Sequence, residues 1–546
     1  MKNNGHVLWT WSGIAICAAI SALLLGLSVA GARSGEAYPV AEKSVAALQA
    51  DMVAGRVTSE ELVQAYLARI QAIDRSGPTL RSVMVLNPHA LDDARRLDAE
   101  RKAGHVRGPL HGIPVLVKDN IETDDGTATT AGSLALKDNI TRRDAPVVRS
   151  LKTAGAVILG KTNLSEWANI RSNHSISGWS ALGGLVKNPY VLDRSACGSS
   201  SGTGAAIAAS LAAVGVGTET DGSVTCPSAL AGLVGLKPTL GLVSRTHVVP
   251  ISHSQDTPGP MGRSVEDVAI LLTAMAGTDP ADPATAAADT HRRDYAAALG
   301  KNSLKGKRLG ILKFATRLSP EDDAVFADAV AVLKTKGAQV VELRAFKPAA
   351  ALDEEELTVL TSELKADLNA YLATTPSSVR TRSLAAIIAF DRANPHETCL
   401  FGQELFEKAE TTKGLHDATY LKARFDSRRR AGAEGIDKLL ADNRLDALIA
   451  PSYSPATRID VVAGDNIAGR SSSLPAIAGY PHLTVPMGQI RGLPVGLSFI
   501  GPAWSEDRLL ALGYAFEQAT HARKPPNFIS SLEATPEVEQ ASAAMR

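Results

Sequence analysis

Residues 195–239 constrain this chain more than any other stretch. A loop of small and hydroxyl residues (197–204) runs into an all-small segment (205–213). Val214-Gly-Val-Gly follows, then a second polar turn at 218–223 and a further apolar segment at 229–236. A flexible glycine–serine linker does not alternate with runs such as Ala-Ala-Ile-Ala-Ala-Ser-Leu-Ala-Ala-Val, so this stretch is expected to be packed. Side chains this small let backbones approach closely and leave amide N–H groups aimed into open space. An acyl-transfer site needs that arrangement, because its oxyanion must be held by fixed N–H donors.

At 546 residues the chain exceeds one ordinary core and fits a large domain with insertions or two domains. Basic and acidic residues balance at 57 each, which excludes a nucleic-acid field. Residues 1–32 stand apart. Lys2 precedes an apolar run over 14–30, and Ala30-Gly31-Ala32 offers a small-residue cleavage site before Arg33. This predicts an export signal over 1–32, a mature chain outside the cytoplasm and no stable membrane association after cleavage. The alternative is a retained anchor, since 7–32 is long enough to span a bilayer with Trp9 and Trp11 at the interface. Beyond the signal lie Cys197, Cys226 and Cys399. An odd count without Cys-x-x-Cys signals neither a disulfide framework nor a zinc site, so small buried residues are expected.

Further along, Thr58-Ser-Glu-Glu caps a helix whose apolar residues from Leu62 to Ile73 recur at helical spacing. Residues 115–117 read as a buried strand delivering Lys118. Residues 147–156 read as a helix and 157–159 as a strand. A helix follows at 265–276, a long surface connection at 277–300, a strand at 307–312 and an amphipathic helix at 322–336. Residues 350–440, dense in Ala, Leu, Glu and Arg, read as a helical subdomain able to roof a cleft. Strands at 447–450, 484–487 and 495–500 and a helix at 506–520 close the chain, and a frayed tail is expected from Ser531. Alternating strands and helices imply an α/β core with helices on both faces.

Two motif matches do not survive their context. Residues 155–162 fit a phosphate-loop pattern, but the four residues between its glycines include the strand itself. Gly198-Ser-Ser200-Ser-Gly202 fits a nucleophile elbow with His253 or His482 as base. An elbow must end a hydrophobic strand, and Val191-Leu-Asp-Arg-Ser-Ala is not one.

The pair of polar loops, taken with Lys118, resembles the amidase signature family. The resemblance is carried by GPLHGIPVLVKDNIET (108–123), GKTNLSEWAN (160–169), CGSSSGT (197–203), TETDGS (218–223), GLKPT (235–239) and GPMGR (259–263). Weaker similarity extends through 475–486 and 492–501. Within the family, the two polar loops look most like those of bacterial peptide amidases. The resemblance implies an α/β/α sandwich around a large mixed β-sheet, here spanning 33–530 with its signature core at about 108–276.

It also implies a catalytic triad of Ser223 as nucleophile, Ser199 as a bridging serine after a cis peptide, and Lys118 as base. The backbone N–H groups of Thr220, Asp221, Gly222 and Ser223 are the implied oxyanion donors. Asp221, where much of the family has glycine, and Ser200 are candidate substrate-binding residues. Such chemistry needs no metal or cofactor, acts on a small-molecule or peptide amide, and is expected of a monomer. C-terminal peptide carboxamides are the expected substrates; fatty-acid and aryl amides are alternatives, as is a non-catalytic binding protein on the same fold. An amidotransferase subunit of the family would be separated from its tRNA by export.

Overall fold

The computed structural model describes residues 38–534, apart from residues 317 and 470. The chain divides into Met1–Tyr38 and Pro39–Arg546. The export-signal reading of 1–32 and residues 535–546 of the tail lie outside the described residues. No described helix is long and apolar enough to cross a membrane.

Thirteen strands are described: β1 (Val83–Leu86), β2 (Pro114–Lys118), β3 (Val157–Thr162), β4 (Trp179–Ser180), β5 (Gly184–Leu185), β6 (Val214–Glu219), β7 (Val234–Lys237), β8 (Thr257–Gly262), β9 (Arg308–Leu312), β10 (Gln339–Leu343), β11 (Ala447–Pro451), β12 (His482–Ile490) and β13 (Leu493–Ile500). β4 and β5 form a separate two-stranded pair, and the others make one 11-stranded sheet in the order β1-β3-β2-β6-β8-β7-β12-β13-β11-β9-β10. β2 runs parallel to both β3 and β6, and β9 runs parallel to β10 and β11. Between these parallel groups, from β6 across to β11, every pairing is antiparallel. This large mixed sheet with flanking helices is the expected amidase signature architecture.

Every residue of β2, β3 and β6 is buried, as strands covered on both faces must be. The small residues of the central stretch set how closely the layers meet. The 205–213 segment opens as the helix Ser201–Ala208, every residue of it buried. A Cβ on Gly215 of β6 would come within 2.7 Å of Thr203 Cγ2, and one on Gly217 within 2.6 Å of Ser200 Oγ. Glycine at these positions lets the helix start directly against the strand, and both Ser199 and Ser200 depend on that approach.

The Thr58 capping box closes as read: its hydroxyl accepts from Glu61 N–H, and the Glu61 carboxylate accepts from Thr58 N–H. The 350–440 region holds helices at Leu352–Ala373, Leu384–Ala393, Glu404–Glu410 and Ala418–Ala431. Leu364, Leu368, Ile387 and Phe406 of this region pack with Trp167, Val249 and Ile251 of the core in one buried cluster. The helices therefore lie as a roof over the loops beside the sheet's centre.

Some elements differ from the sequence reading. β1, β8 and β10 stand where the sequence reading placed no strand, and of the three only β8 (Thr257-Pro-Gly-Pro-Met-Gly) lacks an apolar strand-like run. Residues 277–300, read as a surface connection, contain a 3-10 turn at Pro283–Ala287 and a buried Tyr295. Lys161 of the rejected phosphate-loop match is a buried β3 residue whose ammonium donates to the Ala128 carbonyl (3.0 Å).

Candidate active site

β2 ends on Lys118, and its side chain is fully buried. The Lys118 Nζ donates to Ser199 Oγ at 2.7 Å, to Thr218 Oγ1 at 2.9 Å and to the Thr218 carbonyl at 3.4 Å. Burial pushes its pKa down from the usual lysine range to about 7, although the fields of Asp256 and Glu219 oppose the shift. An amine poised near neutrality can take up and return a proton. Ser199 follows a cis peptide from Gly198, and its carbonyl accepts from Ser165 N–H.

The turn after β6 is fixed from both ends. Glu219 Oε2 accepts from the N–H groups of Val224 (2.7 Å) and Thr225 (2.8 Å), closing the turn on itself. Burial raises the Glu219 pKa, against the pull of the nearby Lys237, whose own pKa burial lowers to about 8. Thr220 Oγ1 donates to Asp256 Oδ1 at 2.7 Å, and Ser200 N–H donates to the Ser223 carbonyl at 3.1 Å. Gly222 sits at φ +82°, and a Cβ there would lie 2.4 Å from the Tyr453 hydroxyl. A side chain there would be strained in that conformation and would force the Tyr453 hydroxyl to move.

Held this way, the N–H groups of Thr220, Asp221, Gly222 and Ser223 donate to no group of the described chain. Successive backbone donors left unpaired in this way are what an anion-binding concavity is built from. They border a cavity of about 490 Å³ that Gly198, Asp221, Gly222 and Ser223 line from the core and Leu357 and Leu360 line from the roof. A second cavity, of about 380 Å³, borders Thr218 and Thr220 but is not lined by Ser223, and Ser199 lines neither cavity.

Asp221 Oδ2 accepts from Ser473 Oγ at 2.9 Å, while its Oδ1 is buried without a hydrogen-bond partner. Ser200 is not at the cavity. Its hydroxyl donates to the Thr218 carbonyl (3.1 Å) and accepts from Thr218 N–H (3.2 Å), which pins the helix start to β6. Neither candidate elbow histidine reaches it. His482 Nε2 is 2.7 Å from Ser498 Oγ, and burial lowers its pKa to about 3. His253 Nδ1 lies 2.9 Å from Asp367 and its Nε2 3.2 Å from Glu363, joining the 251–256 loop to the roof helix.

The cysteine expectation is corrected. Cys197 and Cys226 form a disulfide, Cα–Cα 6.0 Å, and among the described residues Cys399 is free and exposed. An odd count says nothing about which two thiols the topology brings together. Here the loop that carries Cys197 meets the helix Thr225–Leu230 that carries Cys226. Sequence reasoning also passed over Glu219, Asp256 and Lys237. The first and last lie within the TETDGS and GLKPT segments, where a charged residue amid small ones was the available signal.

A family model described as Amidase matches residues 61–510. The chain belongs to the amidase signature family. Among amidase structures it is similar to the native peptide amidase of Stenotrophomonas maltophilia, at 53% identity and TM-score 0.85, over 90% of this chain and 99% of that one. The complex of the peptide amidase PAM with the competitive inhibitor chymostatin also matches at 53% identity, with TM-score 0.87, over 90% of this chain and 100% of that one. A probable amidase of Arabidopsis thaliana is 40% identical over 91% of this chain and 94% of its own length. These relatives make the chain an amide-hydrolysing enzyme.

Proposed function

We propose that this amidase hydrolyses C-terminal peptide carboxamides to the free acid and ammonia, with Ser223, Ser199 and Lys118 as its triad. The observation that carries the reading is the buried Lys118–Ser199 hydrogen bond, 2.7 Å long, made by an amine whose pKa has fallen to about 7. Neutral Lys118 takes the Ser199 hydroxyl proton as Ser199 takes that of Ser223, and Ser223 Oγ attacks the amide carbon. The oxyanion is held by the free N–H groups of the 220–223 turn, each such donor worth about 3 kcal/mol of barrier. The relay returns the proton through Ser199 to the leaving nitrogen, the C–N bond breaks, and ammonia departs. Water then attacks the acyl-enzyme through the same relay and releases the acid.

Similarity to peptide amidases, one of them bound to chymostatin, supports a peptide as the substrate. Asp221 supports a primary amide. It lines the cavity beside Ser223, where a carboxylate can accept from the small –NH₂ group and its charge repels the carboxylate product. We propose the export reading of 1–32 as well, and the Cys197–Cys226 disulfide supports an oxidising compartment.

Ammonia release from a panel of peptide amides, aryl amides and long-chain acyl amides tests the substrate. Peptide amides are expected to be turned over best, and Asp221→Gly to lose more activity on them than on anilides. Good turnover of acyl amides with none of peptide amides would refute the reading. Equal losses on both substrates would leave Asp221 a loop-shaping role only.

A further inference from the structure

The cavity beside Ser223 is acidic. Among its described lining residues stand Asp221, Asp353, Glu356 and Asp465, and no lysine, arginine or histidine. These carboxylates come from three parts of the chain: the turn after β6, the first turns of the roof helix Leu352–Ala373, and the connection between β11 and β12. Glu356 is buried and accepts from Gln255 Nε2 at 2.8 Å, so it belongs to the fold's own bonding. Asp353 is exposed. The Asp465 oxygens share the Ser177 N–H, at 3.1 and 3.0 Å, and burial raises the Asp465 pKa with no cation offsetting it. The Asp221 Oδ1 lacks any partner. Carboxylates of one sign around a cavity part-walled by Ile251, Leu357 and Leu360 concentrate a negative potential where the substrate must enter.

We infer that the enzyme selects peptide carboxamides carrying a positive charge near the reacting amide and rejects those carrying a carboxylate, with Asp353 and Asp465 reading the charge. The inference rests on the peptide-amide reading above and names its substrate class. The recognised group is a substituted ammonium or guanidinium: a lysine or arginine side chain, or the free α-ammonium of a short peptide. The carboxamide itself is neutral, so it is the neighbouring residue that is sorted. Helix-end stabilisation by Asp353 and loop-holding by Asp465 would account for each acid singly, but neither gives a preference that depends on substrate charge.

The test is ammonia release from X-Leu-NH2 peptides with X as Lys, Leu or Glu, each with a free and an acetylated N-terminus. At low ionic strength kcat/KM is expected to fall in the order Lys, Leu, Glu, with a Lys-to-Glu ratio of at least about 10 that shrinks in roughly 0.5 M salt. A Lys-to-Glu preference that survives acetylation assigns the side chain as the group read, and an equal loss of kcat/KM on acetylating all three peptides assigns the α-ammonium. The Asp353→Asn, Asp465→Asn double variant is expected to cut the ratio at least about threefold while leaving acetyl-Leu-Leu-NH2 within about twofold of wild type. If the double variant does not fold, Asp353→Asn alone carries the test, because that residue is exposed. A Lys-to-Glu ratio near one with no loss on acetylation, a ratio and an acetylation effect both unchanged in the variant, or equal losses on all peptides with acetyl-Leu-Leu-NH2 included would overturn the inference while leaving the peptide-amide reading intact. No turnover of any peptide amide by wild type would overturn both.

Discussion

The disulfide between Cys197 and Cys226 ties the segment that carries Ser199 to the helix that follows Ser223. Both cysteines line the cavity, so the cross-link holds two of its walls at fixed separation. Neighbouring hydrogen bonds act in the same sense, notably Ser200 N–H to the Ser223 carbonyl.

Opening that bridge is expected to cost about 3–4 kcal/mol, the chain-entropy value for a loop of this length. The double variant Cys197→Ser, Cys226→Ser should show a lower urea midpoint and a reduced kcat. In the native protein, thiol titration should gain two groups after reduction. An unchanged midpoint together with no gain in thiols would show that the bridge does not form.

Lys118 must be neutral to accept a proton, so activity should rise with pH along a limb centred near 7, where burial places its pKa. The sign of a further shift follows from its neighbours. Asp256 stabilises the charged amine, so Asp256→Asn should move the limb to lower pH. Lys118→Met keeps the buried volume and should lose at least about 10³-fold in kcat/KM. Initial rates between pH 5 and 10 check all three. A limb that does not move in Asp256→Asn would remove the assigned coupling.

Gly217→Ala probes the close approach of helix and strand. The new methyl meets Ser200 Oγ at 2.6 Å and Met261 Sδ at 3.0 Å, so the helix start must move. Overpacking of this kind costs about 1–3 kcal/mol. Because Ser200 is bonded to Thr218 on both sides, activity should fall by more than the stability loss explains. Thermal melts and kcat/KM measured together decide it; full activity with a lower melting temperature would confine the effect to packing.

What the sequence disclosed was local. The closing helix, read at 506–520, spans Glu506–Thr520, and the Thr58 capping box forms as its spacing requires. Lys118 was read just past its strand and is instead the strand's last residue, buried because β3 and β6 flank it. β8 was not legible as a strand, since Thr257-Pro-Gly-Pro-Met-Gly has two prolines that cannot donate to a ladder. They are tolerated because β7 pairs with β8 only at Met261 and Gly262, leaving the Pro258 and Pro260 side of β8 without that partner. The residues of the proposed triad stood out as motifs. What holds them, from the disulfide to Asp256 on Thr220, depends on contacts between loops distant in the chain.

The central claim is that Ser223 attacks the amide carbon and carries the acyl group. Intact-mass analysis after a serine-reactive phosphonate, followed by peptide mapping, measures this directly. The account expects a single adduct, mapped to Ser223, and none on the Ser223→Ala variant. An adduct on Ser200, or a variant that still labels and still turns over, would contradict it.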